Sequence, residues 1–369
     1  MEASSVVFRN GDEGYPFYRI PTLLRVNATL LLAFAEGRHQ RQDHGRVDIV
    51  QKRSTDGGNT WSPLALVQSV GSGTIGNPTP LYDEPEVVLF FCRDNLAIHI
   101  TRSLDGGISW THAEPIGWTR PPEWKWLASG PPAAMRMRTG RWVLPCDGLI
   151  GSTQIYKATS VFSFILYSDD RGGTWQSGPL LEGGNECQAA ELSNGSLALN
   201  MRSRDLVRLH AISHDGGAHW DAPWRAVPPV ADGNVQGSMI GLQDGRMLLA
   251  TNAGAGRRRL TARTSRDGGA RWQTHSVLES GLAAYSALVD LSGGWVGCLY
   301  ETHREREHMQ PTAPPIAARA RRAVVSEANV LRYLRFCALD ECPDEIAAQP
   351  DQGPASSCAA SPSPAIPSG

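Results

Sequence analysis

A handful of side chains stand out by their local setting. Arg19 lies in "YRIP" (Tyr18–Pro21), Arg38 in "EGR", Arg202 in "LNMRSR", and Arg257 opens a run of three arginines in "GRRRLTART". Among the carboxylates, Asp43 lies in "QDHG", Glu186 in "NECQAAELSNG" and Glu301 in "LYETH". Tyr285 lies in "AAYSALVDL". A guanidinium stays charged and grips a carboxylate through two parallel N–H bonds, so gathered arginines suit a permanent anion. Carboxyls move protons, and a phenol beside a carboxylate base becomes a nucleophile. Any one of these arginines alone would read as a solvated surface charge. Only a fold that gathers them makes a site.

Other chemistries fit less well. "HREREH" (His303–His308) is not the H-E-x-x-H of zinc proteases and reads as a solvated loop. "TNAGAGRRR" lacks the spacing and the G-K-[ST] end of a phosphate loop. The 7 cysteines are scattered with no CxxC pair, which argues against both a disulfide framework and a zinc site. A net charge of -2 gives no general pull toward nucleic acid or anionic membrane, so any anion site must be local. No apolar run is long enough to span a bilayer. The start, "MEASSVVFRNGDEG", has no basic stretch followed by an apolar one. The expectation is a cytoplasmic protein with reduced thiols and no transmembrane segment.

The elements that must position these residues announce themselves through repetition. "STDGGNTW", "SLDGGISW", "SDDRGGTW", "SHDGGAHW" and "SRDGGARW" all fit S-x-D-x-G-x-x-W and begin at Ser54, Ser103, Ser168, Ser213 and Ser265. Spacings near 50 residues point to a solenoid or a propeller. In each copy the Asp can accept backbone N–H bonds, the Gly supplies a left-handed backbone, and the Trp is expected to fold back on its own hairpin. Apolar runs such as "VDIVQKR" and "FSFILY" precede some copies. "SNGSLALNMRS" and "QDGRMLLATN" begin with hairpin turns. No long, capped helical pattern is present. The expected class is all-β: a β-propeller with about four short antiparallel strands per repeat. The repeat residues themselves read as structural.

The repeated box together with "YRIP" resembles the exo-α-sialidase (neuraminidase) family, of the bacterial and animal cytosolic type, over roughly residues 5–340. The resemblance implies a six-bladed propeller. It also implies a glycoside hydrolase that needs no metal or cofactor and acts on sialylated glycans, glycoproteins or glycolipids, not on nucleic acid. Three arginines would hold the carboxylate of the sugar: Arg19, Arg202 and, by the family spacing, Arg257, with Arg258 as the alternative. A carboxylate nucleophile would repel that anion. A tyrosine avoids the repulsion, and sialidases are the recognised tyrosine exception to two-carboxylate glycosidases. The family pattern places this nucleophile at Tyr285 with Glu186 as its base. Glu191, five residues on, falls on the opposite side of a strand. Asp43 matches the acid/base and Arg38 a substrate-contacting arginine, whereas Asp48 reads as a strand residue. Glu301 matches the carboxylate that orients the first arginine.

The chain also departs from the pattern. Where animal members carry tyrosines after "VP", this chain has "VLPCDGLIGS", with Cys146 and Asp147. Trp124, Trp126 and Met135 are open candidates for an apolar pocket wall, with core packing as the plainer reading. The expected organisation is a propeller over 1–342, interrupted by a loop insertion at about 304–326 and followed by a disordered Pro/Ser/Ala-rich tail at 343–369. A Kdn-preferring sialidase or trans-sialidase would share the machinery. A non-catalytic sialic-acid-binding propeller would keep the arginines but would not need Asp43, Tyr285 and Glu186 together.

Overall fold

The computed structural model describes residues 4–225, 230, 234–254, 256–303 and 329–338. Both the insertion expected at 304–326 and the tail expected at 343–369 lie outside these residues. Every regular element among them is a strand. In chain order they are β1 (Ser4–Arg9), β2 (Phe17–Arg25), β3 (Leu31–Arg38), β4 (Val47–Ser54), β5 (Ala65–Gln68), β6 (Ile75–Asp83), β7 (Glu86–Arg93), β8 (Ala97–Ser103) and β9 (Glu114–Pro115). Then follow β10 (Trp124–Ser129), β11 (Met135–Arg136), β12 (Trp142–Ile150), β13 (Ser160–Ser168), β14 (Gln176–Ser177), β15 (Leu181–Glu182), β16 (Gly184–Glu191), β17 (Leu197–Ser203), β18 (Leu209–Ser213) and β19 (Trp224–Arg225). The last are β20 (Ser238–Gly241), β21 (Met247–Gly254), β22 (Arg258–Ser265), β23 (Gln273–Ser292), β24 (Trp295–Thr302) and β25 (Val330–Cys337).

Three sheets are simple four-stranded antiparallel meanders: β2 to β5, β6 to β9, and β16 to β19. The strands β10 to β15 form a larger sheet of the same kind, and a seven-stranded sheet runs β1-β25-β24-β23-β22-β21-β20. The first strand of each meander packs on its counterpart in the next sheet. β2 touches β6 and β23, β6 touches β10, β16 touches β12 and β20, and β20 touches β23. The arrangement is propeller-like, with these strands around the middle.

Packing sheet on sheet buries both faces of the inner strands, so they are written as continuous apolar runs rather than alternating ones. "LLAFAEGR" of β3 is buried at every position. The core is divided into clusters shared by neighbouring sheets. Phe34 and Ile49 of the first meander meet Leu89 and Phe91 of the second. Phe90 meets Trp124, Trp142, Phe162 and Phe164 of the third sheet.

The repeated turns close the outer hairpins. In the first, Ser54 Oγ donates to Asp56 Oδ1 (2.7 Å) and accepts the Gly58 N–H (2.8 Å), while Asp56 Oδ1 accepts the Thr60 N–H (2.9 Å). The other four copies repeat this pattern. Gly58 has φ 96°, and a Cβ there would meet the ring of Tyr333.

The tryptophans differ from expectation. Instead of folding back on its own hairpin, each ring reaches the preceding sheet: Trp61 onto Tyr333, Trp110 onto Phe34, Trp175 onto Phe90, and Trp272 onto His210. Trp220 joins the cluster of Ile165 and Met137. A two-stranded turn is too thin to cover an indole, while the neighbouring sheet offers an apolar face. The boxes therefore also join sheet to sheet.

Candidate active site

At the end of the sheets opposite the boxes, inner strands break their pairing register. The breaks lie between Arg19 and Thr22 in β2, Gly76 and Thr79 in β6, Gly184 and Cys187 in β16, and Ala283 and Ser286 in β23. Bulges of this kind re-aim side chains. Here they sit at or beside Arg19, Asn77, Glu186 and Tyr285, all of which line one cavity of about 250 Å³.

Two bulges hold a non-glycine residue in the left-handed region, Ile20 at φ 54° and Asn77 at φ 53°. Such backbone costs about 1–3 kcal/mol and persists only where the surroundings impose it. A buried glutamate imposes each. The Ile20 N–H donates to Glu301 Oε1 (3.0 Å), and the Asn77 N–H donates to Glu36 Oε1 (2.8 Å). The same carboxylates orient arginines. Glu301 takes Arg19 Nε and Nη2 in a two-pronged pair at 3.1 and 3.2 Å. Glu36 Oε2 takes Arg38 Nε at 2.7 Å. The Glu301 expectation thus has a geometric basis, but Glu36 was missed. Its signal was there: in "AEGR" Glu36 and Arg38 are two apart and share a strand face.

Arg19 and Arg38 both reach Asp43, at 3.4 and 2.7 Å, from the loop between β3 and β4. The Asp43 side chain stays 68% exposed. Burial would raise its pKa, but Arg38, Arg19 and Arg257 outweigh that and lower it.

At the cavity floor the Tyr285 hydroxyl donates to Glu186 Oε1. Glu186 Oε2 accepts Arg202 Nη1 at 2.6 Å. Burial, and next the nearby Glu186 charge, push the phenol above its usual pKa, so the resting site holds a neutral phenol against a carboxylate. The guanidiniums of Arg19 and Arg257 lie 5.0 and 5.5 Å from the centre of the Tyr285 ring. Arg257 Nη1 is buried without a hydrogen-bond partner among the described residues. Arg258 is exposed and lines no part of the cavity. Arg202 is steadied from its other side, where Nε donates to Asn234 Oδ1 (3.1 Å). Asn234 was also missed; no short motif marks it.

The structure therefore brings Arg19, Arg38, Asp43, Glu186, Arg202, Arg257 and Tyr285 to one cavity, with Glu301 directly behind Arg19. The rivals fall elsewhere. Asp48 is buried under Tyr15, whose hydroxyl it accepts. Glu191 pairs with Arg138 away from the cavity. Trp126 lines the cavity, whereas Trp124 and Met135 belong to the core. No group of three or more His, Cys, Asp or Glu with metal-holding geometry occurs among the described residues, and no helix there is long and apolar enough to cross a membrane.

Comparison with known proteins gives the family and its relatives. A family model described as a BNR repeat-like domain matches residues 29–298. The chain is 32% identical over 334 residues to a sialidase of Micromonospora viridifaciens, an alignment covering 79% of this chain and 51% of that protein. It is 28% identical to an exo-alpha-sialidase of Aspergillus fumigatus, covering 70% of each. The chain thus spans about half the length of the Micromonospora relative. Among solved structures, a Hadza microbial sialidase superposes with a TM-score of 0.73 at 25% identity, over 81% of this chain and 66% of that one. The intramolecular trans-sialidase from Ruminococcus gnavus, in complex with oseltamivir carboxylate, superposes with a TM-score of 0.71 at 18% identity, over 94% and 99%.

Proposed function

The chain belongs to the BNR repeat-like domain family, and we propose that it is a retaining exo-α-sialidase. It removes terminal sialic acids from glycoconjugates through a tyrosyl-enzyme intermediate. The observation that carries this reading is the Tyr285–Glu186 hydrogen bond at the floor of a cavity faced by Arg19, Arg202 and Arg257. The arginines take the sugar carboxylate, which sets the anomeric carbon over the phenol. Glu186 accepts the Tyr285 proton as the phenolate oxygen bonds to that carbon. Asp43 gives its proton to the departing glycosidic oxygen, whose bond to the same carbon breaks. In the second half Asp43 takes a proton from water, the water oxygen bonds to the anomeric carbon, and the phenolate leaves and recovers its proton from Glu186. The configuration is inverted twice and so retained.

The finer architecture belongs to the same reading. β23 pairs with β22 up to Leu282 and with β24 from Ala283 onward. Leu248, Ala250, Leu260 and Ala262 of one half of the seven-stranded sheet pack on Cys298, Tyr300, Leu334 and Phe336 of the other. We take the halves as two blades joined through one long strand. That gives six blades among the described residues, closed by β1 on β25.

The deciding experiment is hydrolysis of a fluorogenic α-sialoside and its Kdn counterpart by the wild type and Tyr285→Phe. The wild type should release the fluorophore and Tyr285→Phe should lose about 10³-fold or more in kcat. A wild type that binds the free sugar but cleaves neither substrate would instead establish a non-catalytic sugar-binding protein.

A further inference from the structure

One buried group on the cavity wall has no part in the reaction just described. Asp147, on β12, is 1% exposed and lines the cavity. Asn185 Nδ2 donates to its Oδ2 at 2.7 Å. Its Oδ1 is buried and has no partner among the described residues. An unpaired buried polar atom is costly to keep, and a bound ligand can supply the missing partner.

The surroundings define the ligand. The sheet of β10 to β15 gives the cavity Trp126, Ala128, Asp147 and Leu149, and the loop after β12 adds Thr153 and Ile155. No arginine or lysine comes from this sheet to the cavity, while the sheets holding β2, β17 and β22 supply the clamp. This wall therefore faces a neutral part of the substrate. The charged groups acting on Asp147 are Glu186, which opposes its ionisation, and Arg202, which favours it. The thiols of Cys92, Cys146 and Cys187 lie close by. Burial, and next the Glu186 charge, push the Asp147 carboxyl well above the usual range.

We propose that Asp147 is a specificity-determining residue: its buried carboxyl, braced by Asn185, makes a hydrogen bond through Oδ1 with one hydroxyl of the bound sugar. The assignment rests on the sialidase reading above, since it concerns the same cavity.

The test uses the full chain, Asp147→Ala and Asp147→Asn, with the fluorogenic sialoside, its 4-, 7-, 8- and 9-deoxy forms and the Kdn counterpart. Asp147→Ala should raise KM about tenfold and leave kcat within about threefold, the size of one lost hydrogen bond. One of the altered substrates should lose affinity with the wild type and lose nothing further with Asp147→Ala. Asp147→Asn, which keeps a polar atom at the same place, should lose less than Asp147→Ala. Should Asp147→Ala fail to fold, Asp147→Val fills the strand without a polar atom and must show the same loss. An unchanged KM in the apolar variant, or a loss shared equally by all substrates, would overturn the proposal. So would a folded Asp147→Asn that loses as much as Asp147→Ala, since a polar atom would then make no difference at that position. A wild type that cleaves no sialoside would bring down the sialidase reading itself.

Discussion

The outer box turns and the inner bulges solve opposite problems. At the outer corners the Ser and Asp side chains find partners within four residues, as Ser103 and Asp105 do with Gly107 and Ser109. The same solution is written five times. At the inner ends the partners are remote: Arg19 and Glu301 are 282 residues apart, and Tyr285 and Glu186 are 99. No two inner bulges carry the same side chains. The Ser–Asp closure can be repeated because its hydrogen bonds are local, even though each box tryptophan also needs an apolar face on the neighbouring sheet. A site built from several sheets cannot be repeated, because each sheet contributes a different group. Stability is therefore spread over many equivalent corners, and chemistry is concentrated where there is no spare copy.

The sharpest way to break this contrast is to remove one long-range partner. Glu301 is fully buried and neutralises Arg19, itself 8% exposed. Glu301→Gln keeps the shape and leaves the buried guanidinium with only the longer contact to the exposed Asp43, a loss of about 3 kcal/mol. It also weakens the grip on the left-handed Ile20. The expected outcome is a melting temperature lower by about 5 °C or more, with kcat/KM down at least about tenfold. A variant that melts like the wild type would show that the inner ends are not held by their remote pairs.

A pH titration sharpens the contrast without a mutation. In the free site Arg38, Arg19 and Arg257 together overcome burial and lower Asp43. A substrate carboxylate among Arg19, Arg202 and Arg257 cancels part of that field, so Asp43 binds its proton more tightly in the complex. The general acid must be protonated, so its loss forms the alkaline limb of activity. The kcat/KM profile reports the free enzyme and kcat the complex. With a sialyl-oligosaccharide, whose leaving group needs the proton, the alkaline limb of kcat should lie at higher pH than that of kcat/KM. Coincident limbs would mean that the arginines do not govern Asp43.

The contrast also explains what could be read from the chain. The five boxes give the all-β class and the repeating hairpins because their bonding is local. Arg19 and Tyr285 were legible through motifs. Glu36 and Asn234 were not, since each matters only through a residue brought to it by the fold. The bulges at Ile20 and Asn77 are invisible because a register break is defined by two strands. The tryptophans were legible as apolar packing but not in direction: the face that receives each ring belongs to another sheet.

The smallest effect is expected at a box. Ser103 is buried, accepts the Gly107 N–H and donates to Asp105 Oδ1. Ser103→Ala strands that N–H and costs about 1 kcal/mol, or about 2 °C in melting temperature, with kcat/KM within twofold of the wild type. The cost should also depend on pH in a definite sense. The Asp105 carboxyl is held well below its usual range, first by the Ser109 hydroxyl and then by the Ser109 N–H and the Ser103 hydroxyl. Asp215 is lowered likewise, chiefly by the His219 N–H, with burial opposing. A carboxyl lowered by folding contributes stability that is complete above the unfolded value of about 4 and fades as pH falls through the folded value. The melting gap between the wild type and Ser103→Ala should therefore be widest at neutral pH and shrink only in strong acid, where folded Asp105 takes up its proton. A gap that widens in acid would mean that Ser103 acts through something other than the aspartate it touches. A variant that lost activity while keeping its fold would place the boxes in the chemistry and dissolve the division of labour between the two ends.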